Sequence, residues 1–562
     1  MTADPLKVWL YDTTLRDGAQ REGISLSLTD KLTIARRLDQ LGIPFIEGGW
    51  PGANPKDVQF FWQLQEEPLT QAEIVAFCST RRPHKPVEGD RLLQAVLAAG
   101  TRWVTIFGKS WDLHVREGLQ TSLTENLAMI SETIAYLISQ GRRVIYDAEH
   151  WFDGYGANPD YALATLAAAQ EAGAEWLVLC DTNGGTLPTE IAQVTQTVRK
   201  ALGLDNRSEN TPQLGIHAHN DSGTAVANSL MAVQGGVAMV QGTINGYGER
   251  CGNANLCTLI PNLQLKLGYD CISSDQLIHL TPTSRLISEI VNLAPDDHAP
   301  YVGRSAFAHK GGIHVSAVQK NPFTYEHIEP TAIGNERRIV VSEQAGLSNV
   351  LSKAELFGIA LDRQNPACRS ILETLKSLEQ QGYQFEAAEA SFELLMRQAM
   401  GDRQPLFTVQ GFQVHCDLLA HSEKSADHQA LATVKVSVNG QNILEVAEGN
   451  GPVSALDQAL RKALTRFYPQ IADFQLTDYK VRILDGGAGT SAKTRVLVEF
   501  SHGDLAEIRC AARRWTTVGV SSNILEASYQ AVVEGIEYGL RLLTCGLTAR
   551  SITPRGITPP GK

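Results

Sequence analysis

A strand–helix unit that recurs eight times in the first 270 or so residues constrains the fold of this chain more than any other feature. Each unit joins a short apolar run, a polar turn and an amphipathic helix pattern. The eight runs begin near residues 7, 44, 73, 103, 143, 176, 214 and 239. Thr29 is predicted to cap the first helix, which should end at Gly42. Eight such repeats predict an α/β fold, a (β/α)8 barrel of the TIM type. An open, doubly wound sheet is the alternative, but no dinucleotide-type glycine-rich turn follows the first run.

The pattern changes after this barrel, which we place at residues 1–272. Helical segments with loops predict linker subdomains at 273–404. Residues 405–545 read as a separate α+β domain with an internal βββα repeat, because three strand-like segments and a helix occur twice. The sixth of these strands is predicted at 506–515, and a Pro/Gly-rich flexible tail at 546–562.

Composition excludes several classes of protein. The net charge of -12 argues against a nucleic-acid or anionic-membrane partner. Nine dispersed cysteines indicate reduced thiols rather than a disulfide framework. The N-terminus lacks a signal-peptide pattern, and no apolar run approaches the roughly 18 residues needed to span a bilayer. We therefore expect a cytoplasmic protein.

The segment GIHAHND, residues 215–221, predicts a metal site. Alternate residues of a strand share a face, so His217 and His219 would project into one space. The alternative is that two surface histidines share a strand face by chance. Polar residues at the ends of the other strands favour a site at the barrel mouth. Asp17 is the best third ligand, and Asn253 could add an oxygen. Such a set leaves open positions, as catalytic metals require, and fits Zn²⁺, Mn²⁺ or Mg²⁺.

An open divalent ion suits a substrate that chelates it, such as a 2-oxo acid. The ion would polarise the ketone, and Arg16, next to Asp17, could add a second positive charge at the developing oxyanion. Arg16 could instead pair with a neighbouring acid. The residues alone indicate carbonyl chemistry at a divalent metal.

Three segments resemble a known family. DTTLRDGAQREG (12–23), GIHAHND and NGYGERCGNANL (245–256) are similar to the signatures of the 2-isopropylmalate, homocitrate and citramalate synthases, which condense acetyl-CoA with a 2-oxo acid. The resemblance covers essentially the whole chain. IEGGWPGANPKD (46–57) and AFAHKGGIHVSAV (306–318) are most similar to the long form of the citramalate branch, whose acceptor is pyruvate.

The resemblance implies roles for individual residues. It assigns the metal to Asp17, His217 and His219, with Asn253 as a weaker fourth ligand. Arg16 would stabilise the enolate or alkoxide oxygen. Glu149 and Thr182 would bind the acceptor. His314 would act in catalysis from the linker of a partner subunit, with Tyr325 near the same site. Glu149 would also take part in catalysis, sharing proton removal with His314.

The resemblance also implies a homodimer with shared active sites. Its C-terminal domain would bind an amino-acid effector, with isoleucine expected for the citramalate branch, and the enzyme would serve isoleucine biosynthesis. Condensation with 2-oxoisovalerate or 2-oxoglutarate, as in the isopropylmalate and homocitrate branches, is an open alternative. A metal-dependent lyase and a non-catalytic amino-acid sensor are less favoured readings.

Overall fold

The fold is described from a computed structural model, which describes residues 6–205, 211–342, 345–416, 430–502 and 514–544. The chain divides into two compact units. The first comprises Met1–Phe307 and Glu326–Arg337, and the second comprises Ala308–Tyr325 and Arg338–Lys562. Each unit is described by itself. The domain boundaries expected at 272, 404 and 545 stay predictions.

The first unit contains a closed barrel of eight parallel strands, which confirms the predicted fold class. The strands follow one another around the barrel in chain order, and the first pairs with the eighth. They are β1 (Trp9–Asp12), β2 (Phe45–Gly49), β3 (Glu73–Ser79), β4 (Trp103–Lys109), β5 (Arg143–Glu149), β6 (Trp176–Asp181), β7 (Gln213–Ala218) and β8 (Met239–Gly242).

Helices surround this barrel, and their apolar faces form one large buried cluster with the outward side chains of the strands. They are α1 (Leu28–Leu41), α2 (Pro55–Glu66), α3 (Arg91–Ala98), α4 (Leu123–Ser139), α5 (Trp151–Ala157), α6 (Pro159–Glu171), α7 (Pro188–Ala201), α8 (Ala225–Gln234), α9 (Leu256–Pro261), α10 (Ser274–Leu277) and α11 (Leu280–Ile290).

The start of α1 corrects the predicted cap. Ser27, not Thr29, is the N-cap: its hydroxyl accepts from the Asp30 backbone N–H, and the Asp30 side chain accepts from the Ser27 backbone. Only a residue that itself stays outside the helix can make this reciprocal capping box. At the other end, Gly42 adopts φ 88°, as predicted for a C-terminal glycine.

The barrel interior is layered. Large apolar side chains, among them Phe45, Trp103 and Trp176, fill its lower part. Two residues further along several strands the inward side chains become polar, because alternate residues face the same side. This buried polar layer comprises Tyr11, Glu47, Thr105, Asp147, His217 and Gln241. It supports the open C-terminal end of the barrel, where TIM barrels place their chemistry.

The second unit begins with a short two-stranded sheet, β9 (Ala308–His309) and β10 (Arg338–Ile339). Its helical part consists of α12 (Gly312–Lys320), α13 (Leu347–Leu356), α14 (Ala367–Gln380) and α15 (Glu389–Ala399).

The predicted βββα repeat follows, which confirms the α+β domain. Its elements are β11 (Thr408–Cys416), β12 (Ala430–Val438), β13 (Gln441–Gly449) and α16 (Pro452–Thr465), then β14 (Phe474–Ile483), β15 (Thr494–His502), β16 (Arg514–Ser521) and α17 (Ile524–Thr544). Each set of three strands forms an antiparallel sheet. Of the sixth strand, expected at 506–515, the structure describes the last two residues, which belong to β16 and pair with β15 through Arg514–Ser521. Residues 503–513 and the tail lie outside the described residues.

Within the described ranges, no helix combines the length and the apolar character needed to cross a membrane.

Candidate metal centre and active site

Three buried side chains meet at the C-terminal end of the barrel. The Nε2 atoms of His217 and His219 lie 3.3 Å apart. Asp17 places Oδ2 at 3.2 Å from the first nitrogen and 3.8 Å from the second. Within the described part of the chain, this is the one group of three or more His, Cys, Asp or Glu side chains that could hold a metal ion.

These distances fit one shared ion. With bonds of about 2.1 Å, two ligands of one ion lie about 3.0–3.4 Å apart. Two of the three separations fall in this range, and a small rotation of the Asp17 carboxylate would close the third. Asn253 adjoins the group, with Nδ2 at 2.9 Å from Asp17 Oδ2 and 3.2 Å from His217 Nε2. Its Oδ1 is buried and has no hydrogen-bond partner among the described residues. Turning this amide over would aim that oxygen at the other ligands.

The barrel scaffold explains why these side chains converge. The two histidines lie at and just beyond the end of β7, two residues apart, so both point to the same side. Asp17 follows β1 and opens a short 3-10 turn, and Asn253 lies in the loop after β8. An isolated bridge pairs His219 with Asn253, which fixes this loop to the end of β7.

The electrostatic environment favours the ligand forms of Asp17 and His219. Burial alone would raise the pKa of Asp17, but Arg16 and the two imidazoles hold it well below its usual range. Burial and the neighbouring His217 lower the pKa of His219 to about 3, so this ring is neutral at physiological pH. Burial also opposes protonation of His217, yet contact with Asp17 leaves its pKa raised.

Arg16 lies beside this cluster and is held by two acids and a ring. Its Nε donates to Glu47 Oε2 at 2.6 Å, and its Nη1 lies 3.7 Å from Asp17 Oδ2. The guanidinium carbon sits 3.9 Å from the centroid of the Phe77 ring. Glu47 is fully buried and also accepts from the Tyr11 hydroxyl at 2.9 Å. Arg16 therefore does pair with an acid, Glu47, and its positive charge still lies at the mouth of the barrel.

Glu149 and Thr182 lie at the C-terminal ends of neighbouring strands. Glu149 ends β5 and forms an ion pair with Lys109. Thr182 follows β6, and its Oγ1 accepts from the His150 backbone N–H at 2.9 Å. Its carbonyl oxygen accepts from Arg250 at 2.6 Å, which links it to the loop that carries Asn253.

His314 and Tyr325 lie together in the second unit. Their rings stack with centroids 4.2 Å apart. His314 is exposed on α12, and Tyr325 is 48% exposed. The structure thus pairs these two predicted residues with each other, and their delivery to a partner's barrel stays a prediction.

Sequence reasoning missed two features of the site. Gln241, inward-facing on β8, accepts a hydrogen bond from the His217 ring, and nothing in its local pattern distinguished it from a core position. Arg250 forms a two-bonded ion pair with Asp221, at 2.8 and 2.9 Å, across the loops after β8 and β7. Its place inside the quoted NGYGERCGNANL segment was a signal that could have been used.

Three protein families match successive parts of the chain. Residues 7–287 match the HMGL-like family. Residues 301–383 match the homocitrate synthase post-HMGL domain-like family. Residues 386–540 match the LeuA allosteric (dimerisation) domain.

Full-length relatives show the same similarity. The chain is 86% identical over 548 residues to the (R)-citramalate synthase of Synechocystis sp., covering 98% of this chain and 99% of that protein. It is 53% identical to the (R)-citramalate synthase of Geobacter sulfurreducens, covering 95% and 97%. A probable 2-isopropylmalate synthase of Methanopyrus kandleri is 31% identical, covering 95% and 98%.

The chain also matches a solved structure, the hydroxymethylglutaryl-CoA lyase of Pseudomonas aeruginosa. It is 19% identical, with a TM-score of 0.43, and the match covers 54% of this chain and 97% of that one.

Proposed function

This chain belongs to the (R)-citramalate synthase family, and we propose from that membership that it condenses acetyl-CoA with pyruvate to give citramalate and free CoA. It is an acyltransferase: the acetyl methyl carbon forms a bond to the pyruvate keto carbon, and water hydrolyses the thioester. The observation that carries this proposal is the meeting of Asp17, His217 and His219 beside Arg16 at the mouth of the barrel.

Asp17, His217 and His219 would hold a divalent ion, with Asn253 as a further oxygen ligand. When bound, the ion would polarise the pyruvate ketone as a Lewis acid. The buried cluster supports this assignment, since carboxylate, imidazole and amide groups suit Mn²⁺, Mg²⁺ and Zn²⁺ alike.

Arg16 would stabilise the negative charge that develops on the keto oxygen. Its Glu47 and Phe77 contacts fix the guanidinium before substrate arrives, and preorganised charge is what lowers a barrier of this kind. Thr182 would bind the pyruvate carboxylate through its hydroxyl. That hydroxyl has a defined position, because it accepts from the His150 backbone N–H while Arg250 donates to the Thr182 carbonyl oxygen.

Glu149 and His314 would together remove the methyl proton of acetyl-CoA. Glu149 is paired with Lys109, and the proton would pass from the methyl carbon to one of the two basic groups. Tyr325, stacked on His314, would orient that imidazole.

The acceptor is tested by thiol release from acetyl-CoA with a panel of 2-oxo acids. We expect kcat/KM to be highest for pyruvate. A kcat/KM at least tenfold higher for 2-oxoisovalerate would instead show that the chain acts as an isopropylmalate synthase.

The metal is tested with Asp17→Ala and His217→Ala. Each variant should lose both bound Mn²⁺ and turnover, because each removes a ligand from an open site. Normal turnover with unchanged metal content in either variant would remove these residues from the metal site.

The active sites would be shared within a homodimer, and the C-terminal domain would bind isoleucine as a feedback effector of isoleucine biosynthesis. An effector acts by favouring one arrangement of the linker that carries His314. Deleting residues 405–562 should abolish isoleucine inhibition. A truncated enzyme that isoleucine still inhibits fully would place the effector site elsewhere.

A further inference from the structure

We propose that Gln241 and Asp147 are positioning residues that determine which ring nitrogen of His217 is free to bind a metal ion. The inference rests on the metal site proposed above and extends it to two residues that do not touch the ion. Both are buried in the polar layer of the barrel, and neither belongs to a predicted ligand set.

The strand register brings together the two partners of the first hydrogen bond, His217 and Gln241. His217 on β7 and Gln241 on β8 are direct partners in the parallel pairing, and both point into the barrel. The ring Nδ1 lies 2.8 Å from Gln241 Oε1. An amide oxygen can only accept, so Nδ1 must carry the proton of the ring. In the neutral ring Nε2 is then unprotonated, and Nε2 is the atom that faces Asp17 and His219.

Gln241 could in principle present either end of its amide to this ring. With the NH2 group turned toward Nδ1, that nitrogen would have to accept, and the ring proton would move to Nε2. The ligand position would then be blocked, because a metal ion needs the lone pair of that nitrogen.

Asp147 removes this ambiguity. It projects from β5 on another side of the barrel, and its Oδ1 accepts from Gln241 Nε2 at 3.0 Å. An ionised Asp147 can only accept, so if the amide turned over, two oxygen atoms would face each other where water has little access; the exposed fraction is 4% for Asp147 and 0% for Gln241. The carboxylate therefore orients the amide, and the amide sets the tautomer of His217.

The test is the affinity of the metal-free, full-length chain for Mn²⁺, measured from free Mn²⁺ by electron paramagnetic resonance at mildly alkaline pH. Gln241→Leu keeps the volume but removes the acceptor, and it should weaken binding about 10- to 100-fold, as loss of an outer partner of a ligating histidine does. Gln241→Glu keeps an acceptor opposite Nδ1 but is tested only together with Asp147→Ala, because a carboxylate at position 241 would otherwise face the buried Asp147 carboxylate.

A matched control separates positioning from general destabilisation. Asn126 is also a fully buried amide, on α4, and its Nδ2 donates to the Lys109 carbonyl and the Tyr161 hydroxyl, each at 2.8 Å. Asn126→Leu should lower the melting temperature of the metal-free chain and leave Mn²⁺ affinity unchanged.

The role of Asp147 is isolated by a double variant. Asp147→Ala alone should weaken Mn²⁺ binding, because the Gln241 amide can then turn over. Combined with Gln241→Glu it should have little effect, since a carboxylate has no donor end to misplace.

The outcomes separate the two proposals. Any of three results would overturn this inference alone. Gln241→Leu could bind Mn²⁺ with wild-type affinity, or Gln241→Leu and Asn126→Leu could lose Mn²⁺ affinity equally. The weakened Mn²⁺ binding of Asp147→Ala could also persist in the double variant. A wild-type chain that binds no Mn²⁺ would overturn the metal site and this inference with it.

Discussion

Arg16 lies between two buried carboxylates, and this placement decides which of its variants is informative. Arg16→Ala would leave Glu47 without its cation in the barrel interior, a large destabilisation that would obscure any catalytic effect. Arg16→Lys keeps a positive charge near Glu47 but loses the planar fork that reaches two acids at once.

We expect Arg16→Lys to retain Mn²⁺ and pyruvate binding while kcat falls on the order of a hundredfold, since a charge that acts on a developing oxyanion matters chiefly in the transition state. Steady-state kinetics and Mn²⁺ titration on the same preparation measure both quantities. A raised KM with unchanged kcat would mean that Arg16 only binds substrate.

The buried carboxyl of Asp12, at the end of β1, should make the stability of the folded protein depend on pH. Burial raises the pKa of Asp12 from 3.8 to about 7, against hydrogen bonds from the Thr14 backbone and hydroxyl. The folded state therefore binds more protons than the unfolded state between these values, so the contribution of Asp12 to stability is full at low pH and is lost as pH rises through 7.

Asp12→Asn cannot ionise and should lack this loss. The free energy of unfolding of the variant minus that of wild type should rise between pH 4 and pH 7, at up to about 1.4 kcal/mol per pH unit. Denaturant unfolding of the first unit, followed by tryptophan fluorescence of the full chain, measures it. A difference that falls or stays flat would show that Asp12 is not held protonated.

At this scale the sequence predicts the cluster of Asp17, His217 and His219 better than the residues that support it. His217 and His219 follow from a period of two on a strand, and Asp17 from its place after another strand. Gln241 and Asp147 depend on which residues face one another across a closed barrel. That information lies in strand register and barrel closure, which no local pattern contains.

Among the loops, the turn after β8 depends on one glycine. Gly248 has φ 155°, and a Cβ built on it would lie 1.8 Å from Asn253 Oδ1. Gly248→Ala should therefore push Asn253 away from Asp17 and weaken Mn²⁺ binding by about tenfold or more.

Gly223, in the loop after β7, is the matched control. Its φ is 75°, and a Cβ there would meet no described atom within 4 Å. Gly223→Ala should cost about 1–2 kcal/mol of stability through backbone strain but leave Mn²⁺ affinity unchanged. Equal Mn²⁺ affinities in the two variants would show that Gly248 does not position Asn253.

Element types were predictable where periodicity was long, and their ends were not. All eight barrel strands and both βββα repeats were identified from alternation and buried runs. The cap of α1 was misplaced by two residues, because Ser27 and Thr29 are both good caps and only the Asp30 contact distinguishes them. The strand expected to end at residue 515 continues to Ser521, because this run gains its partner, β15, only in the folded sheet.

At the scale of the whole molecule, the barrel and the linker histidine belong to different compact units. Sequence patterns predicted the barrel and the βββα repeat, yet no pattern states which chain's barrel would receive His314. The side chains around it are exposed, with Ile313 at 80%, Phe323 at 69% and Tyr325 at 48%. Exposed apolar groups grouped around one histidine are typical of a surface that another chain covers.

Subunit mixing tests the shared site directly. His314→Ala and His217→Ala chains should each be inactive alone, the first lacking the delivered imidazole and the second a metal ligand. In a mixed dimer, the barrel of the His314→Ala chain is intact and receives His314 from the other chain, so one of its two sites is complete. Random exchange of equal amounts should then restore about a quarter of wild-type activity. Exchange is verified independently with two affinity tags, and a mixture of either variant with itself is the control. Full exchange without recovered activity would place His314 in the site of its own chain, because every mixed dimer would then have one site without His314 and one without His217. An active His314→Ala chain would place His314 outside catalysis.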